Sequence, residues 1–64
     1  MTSELLRYLS EKVQDEIDVI SADLARGTAK DHGEYKYACG IIRGLMITNG
    51  FISEAAQRLE QDDD

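Results

Sequence analysis

Histidine and cysteine, which often bind metals or attack substrates, occur once each in this sequence, as His32 and Cys39. A structural zinc site needs about four ligands at suitable spacing. His32, the neighbouring carboxylates Asp31 and Glu34, and a cysteine seven residues further on do not make such a set. A nucleophilic cysteine needs an adjacent base, and the chain neighbours of Cys39 offer none. The sequence therefore predicts no metal site, and it predicts that Cys39 is a packed thiol.

Carboxylates recur along the first half of the chain, at Glu11, Asp15, Asp18 and Asp23. A catalytic pair of carboxylates requires a cleft that raises the pKa of one of them, and a small helical hairpin has no such cleft. The sequence also lacks a phosphate-binding loop, a dinucleotide fingerprint and a nucleophile elbow. We therefore expect no enzymatic activity and no cofactor.

Composition narrows the class of protein further. The chain has 64 residues and a net charge of −6, which indicates one small domain with a marginal core and disfavours direct nucleic-acid binding. A single cysteine allows no intrachain disulfide, the absence of proline suits long helices, and no apolar run is long enough to span a membrane. The first residues do not resemble a signal peptide, and residues 62–64 are predicted to be a solvated acidic tail.

The first half predicts one amphipathic helix, at about residues 3–26. Apolar residues recur every three or four positions, which is the spacing of one helical stripe, and the opposite side is polar. Arg26 followed by Gly27 is typical of a helix C-terminus. The stripe consists of Leu6, Leu9, Val13, Ile17, Ile20 and Leu24.

The second half predicts a longer helix, at about residues 28–60. It begins after Thr28, or after Asp31 with Glu34 in its first turn. The dipeptide Asn49-Gly50 favours a turn, but the apolar repeat continues past it and favours an unbroken helix. That repeat has the spacing of a coiled-coil seam and consists of Ala38, Ile41, Leu45, Thr48, Ile52, Ala55 and Leu59.

A second face of this helix also holds apolar and small residues. Glycine inside a helix costs about 1 kcal/mol relative to alanine, so its glycines favour close packing of another helix or of a large side chain. The second face consists of Gly33, Tyr37, Gly40, Gly44, Ile47 and Phe51.

The predicted fold is therefore all-α: an antiparallel two-helix hairpin spanning residues 1–61, completed by oligomerisation or by docking on a larger partner. A very short turn would place Ile17 level with about Ala38 and Leu9 level with about Leu45. Residues 50–61 would then project about 15–18 Å beyond the first helix. The predicted partner interface is Tyr37, Gly40, Gly44, Ile47, Phe51, Ile52 and Leu59.

One segment resembles a pattern found in small proteins of tailed bacteriophages. It includes Glu34-Tyr35 and, after three residues, Cys39-Gly40-x-Ile-Arg-Gly-Leu45. The proteins it resembles are of similar size, share the short hairpin turn, and tend to be encoded among genes for head and connector assembly. Most have no assigned activity. The resemblance covers about a third of the chain and supplies no catalytic residues.

The resemblance implies a non-enzymatic structural or assembly protein, located in the virion and in the host cytoplasm during assembly. Its expected partners are other copies of itself or a larger phage structural protein, with no direct contact to nucleic acid or membrane. The dense carboxylates of the first helix suggest an alternative, which is a small acidic phage regulator that binds and inhibits a host protein.

Overall fold

Two long helices pack antiparallel in the computed structural model, which describes residues 2–62. Helix α1 spans Thr2–Ala25, helix α2 spans His32–Asp62, and residues 26–31 connect them. The predicted all-α hairpin is confirmed, and α2 runs unbroken through Asn49-Gly50. The molecule is a rod of 51 × 15 × 11 Å, because α2 alone is about 46 Å long at 1.5 Å per residue. Of the predicted tail, Asp62 ends α2, and residues 63–64 lie outside the described residues.

Helix α1 ends in a Schellman motif built around Gly27. Its φ of +80° lies in the left-handed region that glycine adopts readily. The Gly27 amide donates to the Leu24 carbonyl at 3.0 Å, and the Thr28 amide donates to the Asp23 carbonyl at 3.3 Å. The Thr28 hydroxyl donates to the same carbonyl at 2.9 Å. Thr28 therefore completes the end of α1, and it does not cap α2.

Helix α2 begins four residues later than position 28, where we predicted its start. The Asp31 carboxylate accepts from the Glu34 amide at 2.8 Å, as an N-cap residue does. The Glu34 carboxylate accepts in turn from the Lys30 amide at 2.6 Å. The second predicted start, Asp31 with Glu34, is thus the one the structure uses, and the connection is longer than expected.

The longer connection shifts the register of the two helices. The Ser10 and Ser53 hydroxyl oxygens lie 3.5 Å apart, and Arg7 pairs with Glu60. The N-terminal half of α1 therefore reaches the C-terminal end of α2, and the predicted projection of residues 50–61 is wrong. Counting equally along both helices from Ser10 and Ser53 puts Ala25 level with about Ala38. The first turns of α2 therefore extend past the end of α1, beside residues 26–31.

The contact between the helices is a single seam, which we call the inner seam. Its centre is Ile17, which is 7% exposed, and Ala56, which is 5% exposed; these are the buried hydrophobic residues of the described part. The other members are half-buried. The inner seam consists of Ser3, Leu6, Ser10, Val13, Ile17, Ile20 and Leu24 on α1, and Ala38, Ile42, Leu45, Asn49, Ile52, Ala56 and Leu59 on α2.

The structure corrects four positions of the predicted seams. On α1, Leu9 is exposed and Ser10 lies in the inner seam. On α2, Ile41, Thr48 and Ala55 are exposed, and the next residue in each case lies inward. Each of these three positions belongs to a pair of similar neighbours, namely Ile41-Ile42, Thr48-Asn49 and Ala55-Ala56. Because both members of a pair have similar polarity, the apolar pattern alone does not determine which member faces α1.

Candidate partner-binding face

A second heptad repeat runs along α2, one residue before the inner seam at each step. One residue corresponds to about 100° of rotation around a helix, so this repeat lies beside the inner seam and points away from α1. Its spacing alternates between four and three residues, which is the spacing of helices that pack side by side. We call it the outer seam; it consists of Tyr37, Ile41, Gly44, Thr48, Phe51 and Ala55, all of them exposed.

The outer seam carries some of the largest exposed apolar side chains of the hairpin. Tyr37 is 73% exposed and Phe51 is 67% exposed. Ile41 is 39% exposed, and Ile47, which borders the seam, is 50% exposed. Scattered single apolar residues on a surface need no explanation, but apolar residues aligned along one helix face are typical of an interface.

Helix α1 adds apolar residues on the same broad side of the hairpin. Glu11 and Gln57, which follow the inner-seam residues Ser10 and Ala56, line one cleft together. Leu9 and Ala55 each precede one of these inner-seam residues. In two antiparallel helices, the residues that precede the seam both lie on the side opposite to the residues that follow it, so Leu9 and Ala55 lie on the opposite broad side. By the same rule α1 presents Leu5 and Val19 there, together with Lys12, Glu16 and Asp23.

The other broad side of the hairpin is mainly polar. Near its open end the cleft between the helices has a volume of about 290 Å³. Arg7 borders this cleft and pairs with Glu60, and Gln14 donates to Asp18 at 3.0 Å on the same side of α1. The two broad sides therefore differ in chemistry, and the side that holds the outer seam is the better candidate for a protein contact. The cleft is lined by Arg7, Ser10, Glu11, Ser53, Ala56 and Gln57.

The predicted interface residues divide between the two seams. Ile52 and Leu59, which we expected to be exposed beyond the end of α1, are half-buried in the inner seam. This is a consequence of the register described above. The remaining five lie exposed on or next to the outer seam: Tyr37, Gly40, Gly44, Ile47 and Phe51.

Sequence reasoning missed part of the outer seam. It assigned Ile41, Thr48 and Ala55 to the contact with α1, and it assigned Leu9 to the same contact. The alternation of four and three residues from Tyr37 to Ala55 is visible in the sequence. This alternation is recognised only when one member of each pair of similar neighbours is assigned to the inner seam and the other to the outer seam.

Gly40 and Gly44 do not serve close packing within the hairpin. A Cβ atom at either position would meet no atom within 4 Å beyond the neighbouring backbone of α2 in the described residues. Inside the hairpin, the helix-propensity cost of these glycines is therefore not offset by any contact. The space above Gly44, in the middle of the outer seam, is open to a partner.

The residues with potential chemistry lie near the start of α2. His32 is exposed and stacks on Tyr35, with ring centroids 6.3 Å apart. A hydrogen bond between the Tyr35 hydroxyl and Cys39 raises the pKa of Tyr35, and the negative charge of the Cys39 thiolate raises it further. Within residues 2–62, no group of three His, Cys, Asp or Glu side chains is placed to hold a metal ion.

The exposed apolar residues and the extended shape indicate a protein partner. In the described part of the chain, neither helix combines the length and apolar character needed to cross a membrane. Comparison of the chain with protein-family models, with curated proteins and with solved structures found no match. What the chain binds is therefore inferred from its own residues and their geometry.

Proposed function

We propose that the chain is a non-enzymatic assembly protein whose hairpin packs against another protein through the outer seam. The observation that supports this is a complete second heptad repeat, exposed on a helix whose first repeat is already occupied by α1. The small core supports it too, since a hairpin with so few buried side chains gains much of its stability from further packing.

The assembly is, in this proposal, the head or connector of a tailed bacteriophage. Support comes from the segment that resembles small phage proteins, because it contributes to both seams. Ile42 and Leu45 of that segment lie in the inner seam, and Gly44 lies in the outer seam. The same proposal places the chain in the virion and, during assembly, in the host cytoplasm.

Mass spectrometry of purified virions from the phage that encodes the chain tests this proposal. We expect the protein at a copy number comparable to those of head or connector proteins. The variant Phe51→Asp should lower its incorporation at least about tenfold, since it would bury an unpaired charge in the contact. Tyr8→Asp is the matched control, because Tyr8 is 56% exposed but lies on the outer surface of α1. Equal incorporation of both variants would exclude the outer seam as the docking face.

A second candidate is the acidic regulator of a host protein. The exposed carboxylates Glu11, Asp15 and Asp18 on α1 favour it, since a dense negative surface suits a basic partner. The same virion preparation separates the two functions. A protein that is expressed early in infection and is absent from virions would favour the regulator.

A further inference from the structure

We propose that the outer seam binds a second copy of this chain, with the two α2 helices antiparallel about a two-fold axis level with Met46. This inference rests on the proposed function and names the partner of the same face. It follows from the order of residue sizes along the outer seam, from the charges beside it, and from the angle between the two seams.

The outer seam is complementary to itself when one copy is reversed. With the axis level with Met46, Tyr37 lies opposite Ala55 of the second copy, and Gly44 lies opposite Thr48. A large or branched residue thus faces a small one in both layers, and Ile41 faces Phe51 in the layer between them. Two-fold symmetry repeats each pairing, as an isologous interface requires. Sliding one helix by a heptad in either direction would leave the ends of the seam unpaired.

Gly44 acquires a role in this arrangement. The Gly44–Thr48 layers are the ones nearest to the axis, so the two backbones can approach most closely there. The space above Gly44, which is empty within the hairpin, is then filled by the second copy. Burial of the neighbouring Ile41 and Phe51 offsets the helix-propensity cost of the glycine.

A parallel pair would fit less well. It would place Gly44 opposite Gly44, with Tyr37 facing Tyr37 and Phe51 facing Phe51 one heptad away on either side. Such a seam has a gap at its centre and overcrowded layers on both sides of it, and both gaps and overpacking are destabilising.

Charge also favours the antiparallel pair. Lys36 and Arg43 are exposed in the N-terminal half of α2, and Glu54 is exposed in the C-terminal half, where the Arg58 guanidinium lies 3.7 Å from its carboxylate. Reversal brings Lys36 of one copy to within about one turn of Glu54 of the other, on the same rim of the interface. A parallel pair would align each of these charges with its own kind. Antiparallel helices also oppose their macrodipoles.

The geometry of the two seams completes a four-helix arrangement. They are about 100° apart on α2, close to the right angle between neighbouring contacts in a square bundle of four helices. A standard interface covers about 800 Å² on each partner, which is about a sixth of the 5047 Å² accessible surface of the hairpin. One broad side of a 51 Å rod is sufficient for this.

Disulfide trapping tests the arrangement. In a Cys39→Ser background, we place Ile41→Cys in one sample and Phe51→Cys in another, and we oxidise them in a glutathione buffer separately and as an equal mixture. In the antiparallel pair, position 41 meets position 51 of the other copy, while two copies of position 41 are about 15 Å apart along the axis. A disulfide requires Cα atoms within about 7 Å. We expect a cross-linked heterodimer in the mixture, and no cross-linked homodimer in either separate sample.

Analytical ultracentrifugation of the full chain provides the second measurement. The expected mass is twice the 7.2 kDa of one chain. Gly44→Leu should weaken the dimer at least about tenfold, with the helix content by circular dichroism unchanged. Glu11→Leu is the control, since Glu11 is exposed on the polar side.

The outcomes separate this inference from the proposed function. Cross-linking within the separate samples would mean a parallel pair and would overturn the inference. A chain that stays monomeric, yet loses virion incorporation in Phe51→Asp, would also overturn it and leave the proposed function standing. A dimer that tolerates Gly44→Leu as well as Glu11→Leu would remove the outer seam from the dimer interface and overturn the inference, while virion incorporation of Phe51→Asp decides the proposed function separately.

Discussion

The hydroxyl oxygens of Ser10 and Ser53 lie 3.5 Å apart, although the two residues are 43 positions apart in the sequence. This approach fixes which residues of α1 and α2 are level with each other. It brings Ile17 level with about Met46 and Gln14 level with about Asn49, and these four residues line one cleft. The contents of the core, and the face that is left over, both follow from this register.

Ile17→Ala should destabilise the hairpin by about 2–4 kcal/mol, the usual cost of truncating a large buried aliphatic side chain. Ile17 is 7% exposed and lies at the middle of the inner seam. Leu9→Ala is the matched control, because Leu9 is 41% exposed and its truncation should cost much less. Urea unfolding followed by circular dichroism, at one fixed chain concentration, measures both. Equal losses would mean that Leu9 is buried, either in the inner seam in place of Ser10 or against a second copy of the chain.

Asn49→Leu should stabilise the hairpin by about 1 kcal/mol. The Asn49 side-chain oxygen is buried and has no hydrogen-bond partner among the described residues. Removing a buried unsatisfied group recovers its desolvation penalty. Leucine also suits a seam position of a coiled coil. Thermal unfolding by circular dichroism measures the change.

The control for Asn49→Leu is Gln14→Leu. Gln14 is an exposed amide that donates to Asp18 at 3.0 Å, so its replacement should change stability by less than about 0.5 kcal/mol. A lower melting temperature for Asn49→Leu would indicate that Asn49 has a polar partner in solution. Its role would then be to fix the register of the helices.

Gly27→Ala should destabilise the hairpin by about 1 kcal/mol, since alanine is strained at a φ of +80°. Gly50→Ala should have the opposite effect and stabilise by up to about 1 kcal/mol. Gly50 lies inside α2, and among residues 2–62 a Cβ atom there would meet nothing within 4 Å beyond the neighbouring backbone of the helix itself. Denaturant midpoints of the two variants test the contrast. A stabilising Gly27→Ala would mean that the Schellman motif does not form in solution.

The sequence predicted the helices and their ends better than their mutual register. The end of α1 at Gly27 and the Asp31 cap of α2, the second of the two predicted starts, depend on residues a few positions apart, which sequence patterns capture. The register depends on how residues 26–31 leave α1, which is set by tertiary geometry. The expected projection of residues 50–61 therefore failed, although both helices were correctly predicted.

The candidate face was partly predictable for a similar reason. Tyr37, Gly44 and Phe51 stood out because none of them fits a seam with α1. Ile41 was misplaced because Ile42, its neighbour, has the same hydrophobicity and burial preference. Only packing against α1 determines which of these two isoleucines faces α1, and the other isoleucine then lies in the outer seam.

Cys39→Ala should lower the titration midpoint of Tyr35. A hydrogen bond to Cys39 and the charge of its thiolate raise the pKa of Tyr35 above the ordinary value of 10.0. Both contributions favour the neutral phenol, and both disappear when the thiol is removed. Absorbance at the tyrosinate band against pH measures the effect, and subtraction of the curve for Tyr35→Phe isolates this residue. Cys39→Ser is the matched control, because a hydroxyl retains a hydrogen-bonding group but carries no charge in this range, so its midpoint should also lie below that of the parent. Identical curves for all three chains would mean that the Tyr35 and Cys39 side chains do not interact in solution.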